Sequence, residues 1–234
     1  VESEAALAAA ARIRIIGSDL MLEHVHPNVE GYFRLAASFY RPLVAAFGGG
    51  REVDDATALR DIPVTEVDRL QGQYRVEVLK NDWPFVPERR AVTLPAPRDR
   101  VEEIAQLWFA GRISWAEAMD QAFNWYEQQG NAREAARVAV NLADAVINAA
   151  DPQYVAGRQL LKAGDPARGE RYLRRAIRLD GTRVEYRMSL AQAQFMQGRV
   201  QDSIATLEAV LAEHPDDERA QYWLGEMRRR AQSP

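Results

Sequence analysis

The sequence predicts a mainly α fold in which the C-terminal half is an α-solenoid, a pile of antiparallel helical hairpins. Three observations predict it. Gly130, Gly164 and Gly198 recur at a spacing of 34 residues, and each lies between two amphipathic runs. Small residues recur at one fixed register within that period. Apolar residues recur at further fixed registers, so that successive units agree along their length.

Taking the glycine as position 15 of a 34-residue unit gives units starting at Ala116, Ala150, Val184 and Glu218. Position 20 then holds Ala135, Gly169 and Ser203. Position 24 holds Ala139, Leu173 and Leu207, and position 27 holds Leu142, Ala176 and Val210. Position 8 holds Gly157, Ala191 and Gly225, with Phe123 in the unit from Ala116. A tight turn between antiparallel helices needs a residue that tolerates positive φ, and closely crossing helices need small side chains where their axes meet. A single hairpin leaves one apolar face bare, so neighbouring units must stack to cover it. Upstream, residues 98–112 and 113–130 read as two further helices, with Ser114 and Glu117 at the spacing of a capping box. Trp108, Phe109, Trp115, Phe123, Trp125 and Tyr126 make this junction aromatic, and core packing is the expected use of large rings at helical spacing.

At its best-fitting positions the repeat resembles the tetratricopeptide repeat family. "LAQAQFMQGRVQDSIATLEAVLAEHPDD" (190–217) carries the likeness most fully, with Pro215 where that family ends its second helix. "YVAGRQLLKAGDPARGERYLRRAIRLD" (154–180) follows closely. The unit from Ala116 is degenerate, and the unit from Glu218 supplies only its first helix. Position 4, Gln153, Arg187 and Gln221, lacks the family's aromatic residue. The resemblance implies a scaffold for a protein or peptide on the concave face, lined by first-helix positions 2, 5, 9 and 12. The candidate partner-binding residues are therefore Tyr154, Arg158, Leu161, Met188, Gln192 and Phe195, with Asp151 and Glu185 at position 2. Family members that grip acidic chaperone tails use Lys and Asn at positions 5 and 9; Tyr154 with Arg158 and Met188 with Gln192 do not match, so that mode is not expected. The basic cluster Arg171, Arg174, Arg175 and Arg178 is expected to be a solvated outer face.

Residues 1–50 have another character. An alanine-rich helix (residues 3–11) leads into the apolar run Ile13 to Ile16, which reads as a strand. Asn28 can cap a helix beginning near Val29, which Gly48 to Gly50 would end. "EHVHPNVEGYFRLA" (23–36) resembles the last block of the SGNH (GDSL-type) hydrolase family, in which an acidic residue, two spacers and a His-Pro pair precede the final helix of an α/β sandwich. The resemblance implies His26 as catalytic base and Glu23 as its orienting carboxylate. An imidazole takes the proton that makes a serine nucleophilic, and a carboxylate holds that imidazole in the working tautomer. Glu23 stands where that family usually has Asp. The same likeness implies that residues 1–50 are the C-terminal fragment of an SGNH-type α/β domain, as in bacterial proteins of this kind that continue into a tetratricopeptide tail. The first residue is Val, and the chain is expected to be part of a longer protein. The family's Gly-Asp-Ser nucleophile block and its oxyanion-hole Gly and Asn are absent, so this chain alone is expected to be inactive as a hydrolase. The letters "GSDL" at Gly17 to Leu20 stand in the wrong order, and Ser18 reads as a turn cap. A purely adaptor role with no catalysis is the competing reading.

His24 and His26 share a face if their segment is extended. No fourth ligand lies near them in sequence and His214 belongs to the last repeat, so no metal and no cofactor is expected. Residues 51–98 read as a connector: one helix from Val64 to Lys80 capped by Thr65, Trp83 and Phe85 laid into an apolar seam, and a Pro-rich extended stretch, "ERRAVTLPAP". The boundaries are thus 1–50, 51–98 and 99–234.

Composition narrows the function classes. A net charge of −4 argues against a nucleic-acid module. No window approaches the length of apolar chain a membrane span needs. The absence of cysteine removes disulfides, thiolate metal sites and a cysteine nucleophile. It fits a reducing cytoplasm and equally a cysteine-free periplasmic protein.

Overall fold

The computed structural model describes residues 2–23, 25–48 and 53–232. The chain divides into two compact units, residues 1–62 with 72–94, and residues 63–71 with 95–234.

The first unit holds α1 (Ser3–Ala10), α2 (Val29–Phe47), α3 (Asp55–Asp61) and residues 72–80 of α4 (Glu66–Lys80). Asn28 starts α2: its side-chain oxygen accepts from Gly31 N at 3.0 Å, and its amide donates to the Asp19 carbonyl at 2.9 Å. Gly31 is required there, because a Cβ at that position would lie 2.2 Å from the Leu20 carbonyl oxygen. Leu7, Ala11 and Leu20 form the small core, with Ile16 and Leu35 against it. Asp54 caps α3 by accepting from Thr57 N, and Arg34 and Arg41 both hold Asp55 from α2.

No strand occurs among the described residues; the one β element is an isolated antiparallel bridge between Met21 and Pro27. The α/β fragment expected for residues 1–50 is therefore not seen. The apolar run expected as a strand is a turn, with Arg14 at φ 59° and Ile13 and Ile15 exposed. A short apolar run forms a ladder only beside a partner strand, and this unit supplies none. Gly48 ends α2 at φ 69°, whereas Gly49 and Gly50 lie outside the described residues. Trp83 does not enter an apolar seam; it is 77% exposed. Residues 89–97 form neither helix nor strand.

The second unit starts with residues 63–71. Thr65 caps α4, accepting from Asp68 N at 3.1 Å while the Asp68 carboxylate accepts from Thr65 N and its hydroxyl. Next come α5 (Arg100–Phe109), α6 (Trp115–Gln128), α7 (Ala132–Ala145), α8 (Ala150–Lys162), α9 (Pro166–Leu179), α10 (Val184–Met196), α11 (Val200–Glu213) and α12 (Glu218–Gln232). The helices that open each unit of the repeat thus begin within one residue of the starts read from the glycine period. Gly130, Gly164 and Gly198 adopt φ of 67°, 80° and 75°, the left-handed turn that closes each hairpin. Side-chain caps recur at the starts: Ser114 and Glu117 complete a reciprocal box, Asn131 accepts from Glu134 N, and Asp165 from Arg168 N ahead of Pro166.

Cores bridge successive helices and make the pile continuous. Ala139, Val140 and Ala143 of α7 meet Ala156 and Leu160 of α8. Leu161 of α8 and Leu173 of α9 meet Leu190 and Ala193 of α10. Ala191 of α10 and Leu207 of α11 meet Leu224 and Met227 of α12. The junction before the repeats differs from expectation. Of its six aromatics only Tyr126 is buried, and the tightly enclosed positions are Ile104, Ala105, Ala118, Met119 and Ala122. Small residues there bring α5 and α6 close, while Phe123 packs on the α7–α8 core and Trp115 donates to Asp68.

Candidate functional site

The first helices of three successive units, α8, α10 and α12, enclose a groove of about 400 Å³. Tyr154 and Arg158 line it from α8, Met188, Gln192 and Phe195 from α10, and Trp223 from α12. The 3.6-residue helical period puts positions 5, 9 and 12 of one helix along one stripe, and stacking brings these stripes side by side. Leu161 is the exception among the expected lining residues. It is 5% exposed and packs on Leu173 and Leu190, because its side of α8 turns toward the second helix of its own hairpin. Asp151 is also off the groove, accepting the Tyr186 hydroxyl at 2.5 Å. That bond and burial both raise the Tyr186 pKa, burial the more.

The lining from α12 was missed by position. Arg219 sits at position 2 as the rule demands, but Trp223, Met227 and Arg230 fall one residue after positions 5, 9 and 12. The shift is one residue, about 100° around α12.

The groove mixes soft apolar and cationic groups. Three methionines, 188, 196 and 227, line it with Phe195 and Trp223. The Arg158 guanidinium lies 5.8 Å from the Tyr154 ring centre, and that of Arg230 lies 5.1 Å from the Phe195 ring centre. Tyr154 and Tyr186 stack with centres 4.6 Å apart. Glu185, the acidic residue of the lining, bonds Arg183 at 2.7 Å. On α9, Arg171 and Arg178 are exposed and Arg174 pairs with Glu170 at 2.7 Å, so that cluster is largely a solvated face.

In the first unit, the backbone between Leu20 and Asn28 doubles back, with Leu22 N donating to the His26 carbonyl at 2.8 Å and Asn28 N to that of Leu20 at 2.9 Å. This tight loop brings Glu23 and His26 together. Glu23 Oε1 accepts from His26 Nδ1, and Glu23 Oε2 accepts from Val25 N at 2.9 Å. The Glu23 side chain is 3% exposed and that of His26 58%. With Nδ1 donating to the carboxylate, Nε2 is left as the basic nitrogen. His26, Pro27 and Tyr32, with Arg75, Val76 and Leu79 of α4, line a cleft of about 220 Å³ that contains no serine, threonine or lysine side chain. His24 lies outside the described residues. Among the described residues no three His, Asp or Glu side chains gather as a metal site, and no helix is long and apolar enough to cross a membrane.

No curated protein matches the chain. Residues 154–218, and again 197–234, match the Tetratricopeptide repeat family, and the residues that line the groove lie within the matched span.

Proposed function

We propose that the chain is a protein-interaction scaffold whose working surface is the groove between α8, α10 and α12. The observation that supports it is the convergence of Tyr154, Arg158, Met188, Gln192, Phe195 and Trp223, from three units, on one apolar and cationic hollow. Aromatic, Met and Arg side chains are the types enriched at contact surfaces, and a groove of this kind takes a peptide segment of a partner protein. Selection of random displayed peptides against the full chain tests the reading. Enriched peptides are expected to lose binding to Met188→Glu and to keep it toward Arg178→Glu. Enrichment indifferent to Met188→Glu overturns it.

A second reading concerns the loop at Glu23 and His26. The buried carboxylate on Nδ1 of an exposed imidazole is the arrangement that makes a histidine a general base. It supports residues 1–50 as a piece of a serine ester hydrolase of the SGNH kind, with His26 as base and Glu23 as orienter. The serine hydroxyl to be activated would come from elsewhere in the natural protein, since no serine or threonine lines the cleft. A protein that joins this block to a Gly-Asp-Ser segment is then expected to cleave p-nitrophenyl acetate, and His26→Ala to abolish the cleavage. Unchanged hydrolysis by His26→Ala removes the assignment. In either reading the present chain contributes the scaffold and no turnover.

A further inference from the structure

Four charged side chains border the groove: Arg158, Arg219, Arg230 and Glu185. Two of them are already satisfied, Arg230 by Glu226 at 2.9 Å and Glu185 by Arg183. Arg158 and Arg219 are exposed and close no ion pair within 4 Å among the described residues, though Arg158 is near enough to help hold down the pKa of Glu127, which itself pairs with Lys162. They stand on α8 and α12, the outer two of the three helices, and the apolar lining lies between them. Neighbouring packed helices are about 8–10 Å apart, and positions 9 and 2 differ by about 10 Å along the helices, so the two Arg positions are separated by about 20 Å. An extended chain rising about 3.3 Å per residue covers that distance in about six steps, from residue i to residue i+6.

Resting on the groove reading, we propose that the groove takes an internal, extended segment of a partner protein that carries a carboxylate side chain at each end of an apolar stretch about five residues long, so that both carboxylates lie on the face turned to the groove. The two carboxylates pair with Arg158 and Arg219. The apolar side chains between them lie on Met188, Phe195 and Trp223. Methionine's flexible thioether lets the floor adapt to several apolar shapes, so the end charges and their spacing carry the specificity. A free C-terminal carboxylate is not needed, because the cations are two and lie far apart.

Titration by fluorescence anisotropy against the full chain tests this, with acetylated and amidated peptides that have Leu and Phe between two terminal residues. The Glu-ended peptide is expected to bind about tenfold more tightly than the Gln-ended one, to weaken with salt, and to outcompete the Lys-ended one. The double variant Arg158→Glu/Arg219→Glu, both sites being exposed, keeps its melting temperature and reverses the preference toward the Lys-ended peptide. Equal binding of Glu- and Gln-ended peptides, or a double variant that still prefers Glu, overturns the charge inference. If those peptides are nevertheless lost on Met188→Glu, the groove reading stands without it. If no peptide binds, or Met188→Glu changes nothing, both fall.

Discussion

Gly157 and Leu173 pack so closely that a Cβ on the glycine would lie 2.6 Å from the leucine Cγ. The same crossing brings Gly169 against Leu161 and the Gly157 carbonyl. In the next unit the small residue at position 20 bonds across, Ser203 Oγ donating to the Ala191 carbonyl at 2.9 Å. Gly157→Ala is expected to cost about 1–3 kcal/mol through overpacking. Gly225→Ala occupies the same register on α12 with open space around it, and is expected to stabilise by about 0.5–1 kcal/mol through helix propensity. Chemical denaturation of the two variants checks the contrast; equal effects would mean that α8 and α9 do not cross at that point.

Asp68 ties the start of α4 to the repeats. Its carboxylate accepts from the Thr65 hydroxyl at 2.6 Å, from Trp115 Nε1 at 3.2 Å and from Asn141 Nδ2 at 2.8 Å. Asp68→Ala strands these donors and is expected to cost about 2–4 kcal/mol, well beyond a surface carboxylate. A thermal melt of the full chain measures it, with Asp120→Ala, an exposed residue of α6, as control.

Glu170 gives the second unit an acid limb. Burial raises its pKa, but hydrogen bonds from Gln197, Arg174 and Arg199 outweigh burial and hold the value below the ordinary 4.5. A lowered folded-state pKa contributes stability that is complete above 4.5 and is lost as pH falls through the lowered value. Wild type is therefore expected to lose its advantage over Glu170→Gln below pH 4.5, and denaturation midpoints of both proteins across the acid range reveal it. Parallel profiles would mean that the bonds to Glu170 do not hold in solution.

Gly31→Ala tests the first unit. The added Cβ meets the Leu20 carbonyl, which is backbone and cannot rotate away, so α2 must shift. A loss of about 2 kcal/mol or more is expected in the transition of that unit, together with exposure of the Glu23 loop that Leu20 anchors. Limited proteolysis around residues 20–28 reads the exposure.

The repeats were legible because stacking forces a period. Gly130, Gly164 and Gly198 each need positive φ, and Gly157 and Gly169 each need contact without a side chain, so the fold marks its own register in glycines. Gly111 closes α5 on α6 in the same way at φ 67°, yet it lies 19 residues before Gly130 and so breaks the period that revealed the others. Leu161 was misplaced onto the groove because position 12 of α8 turns inward while position 12 of α10, Phe195, does not; only packing decides that. The first unit was harder to read. The short helix α3, capped by Asp54 on Thr57 N, was not read, because seven residues are too few to show a helical period. Ile13 to Ile16 had the composition of a strand without a neighbour to pair with. The loop that joins Glu23 to His26 was legible only as spacing; its two backbone bonds are tertiary facts.

Side chains from three units face one hollow, which we propose receives a partner segment. Site-specific photocrosslinking measures it most directly, with benzoylphenylalanine at Gln192 in the groove and, separately, at Arg178 on α9, using a peptide recovered by selection against the intact chain. Covalent capture at Gln192 and none at Arg178 is the predicted result. Capture at Arg178, or equal capture at both, would contradict it.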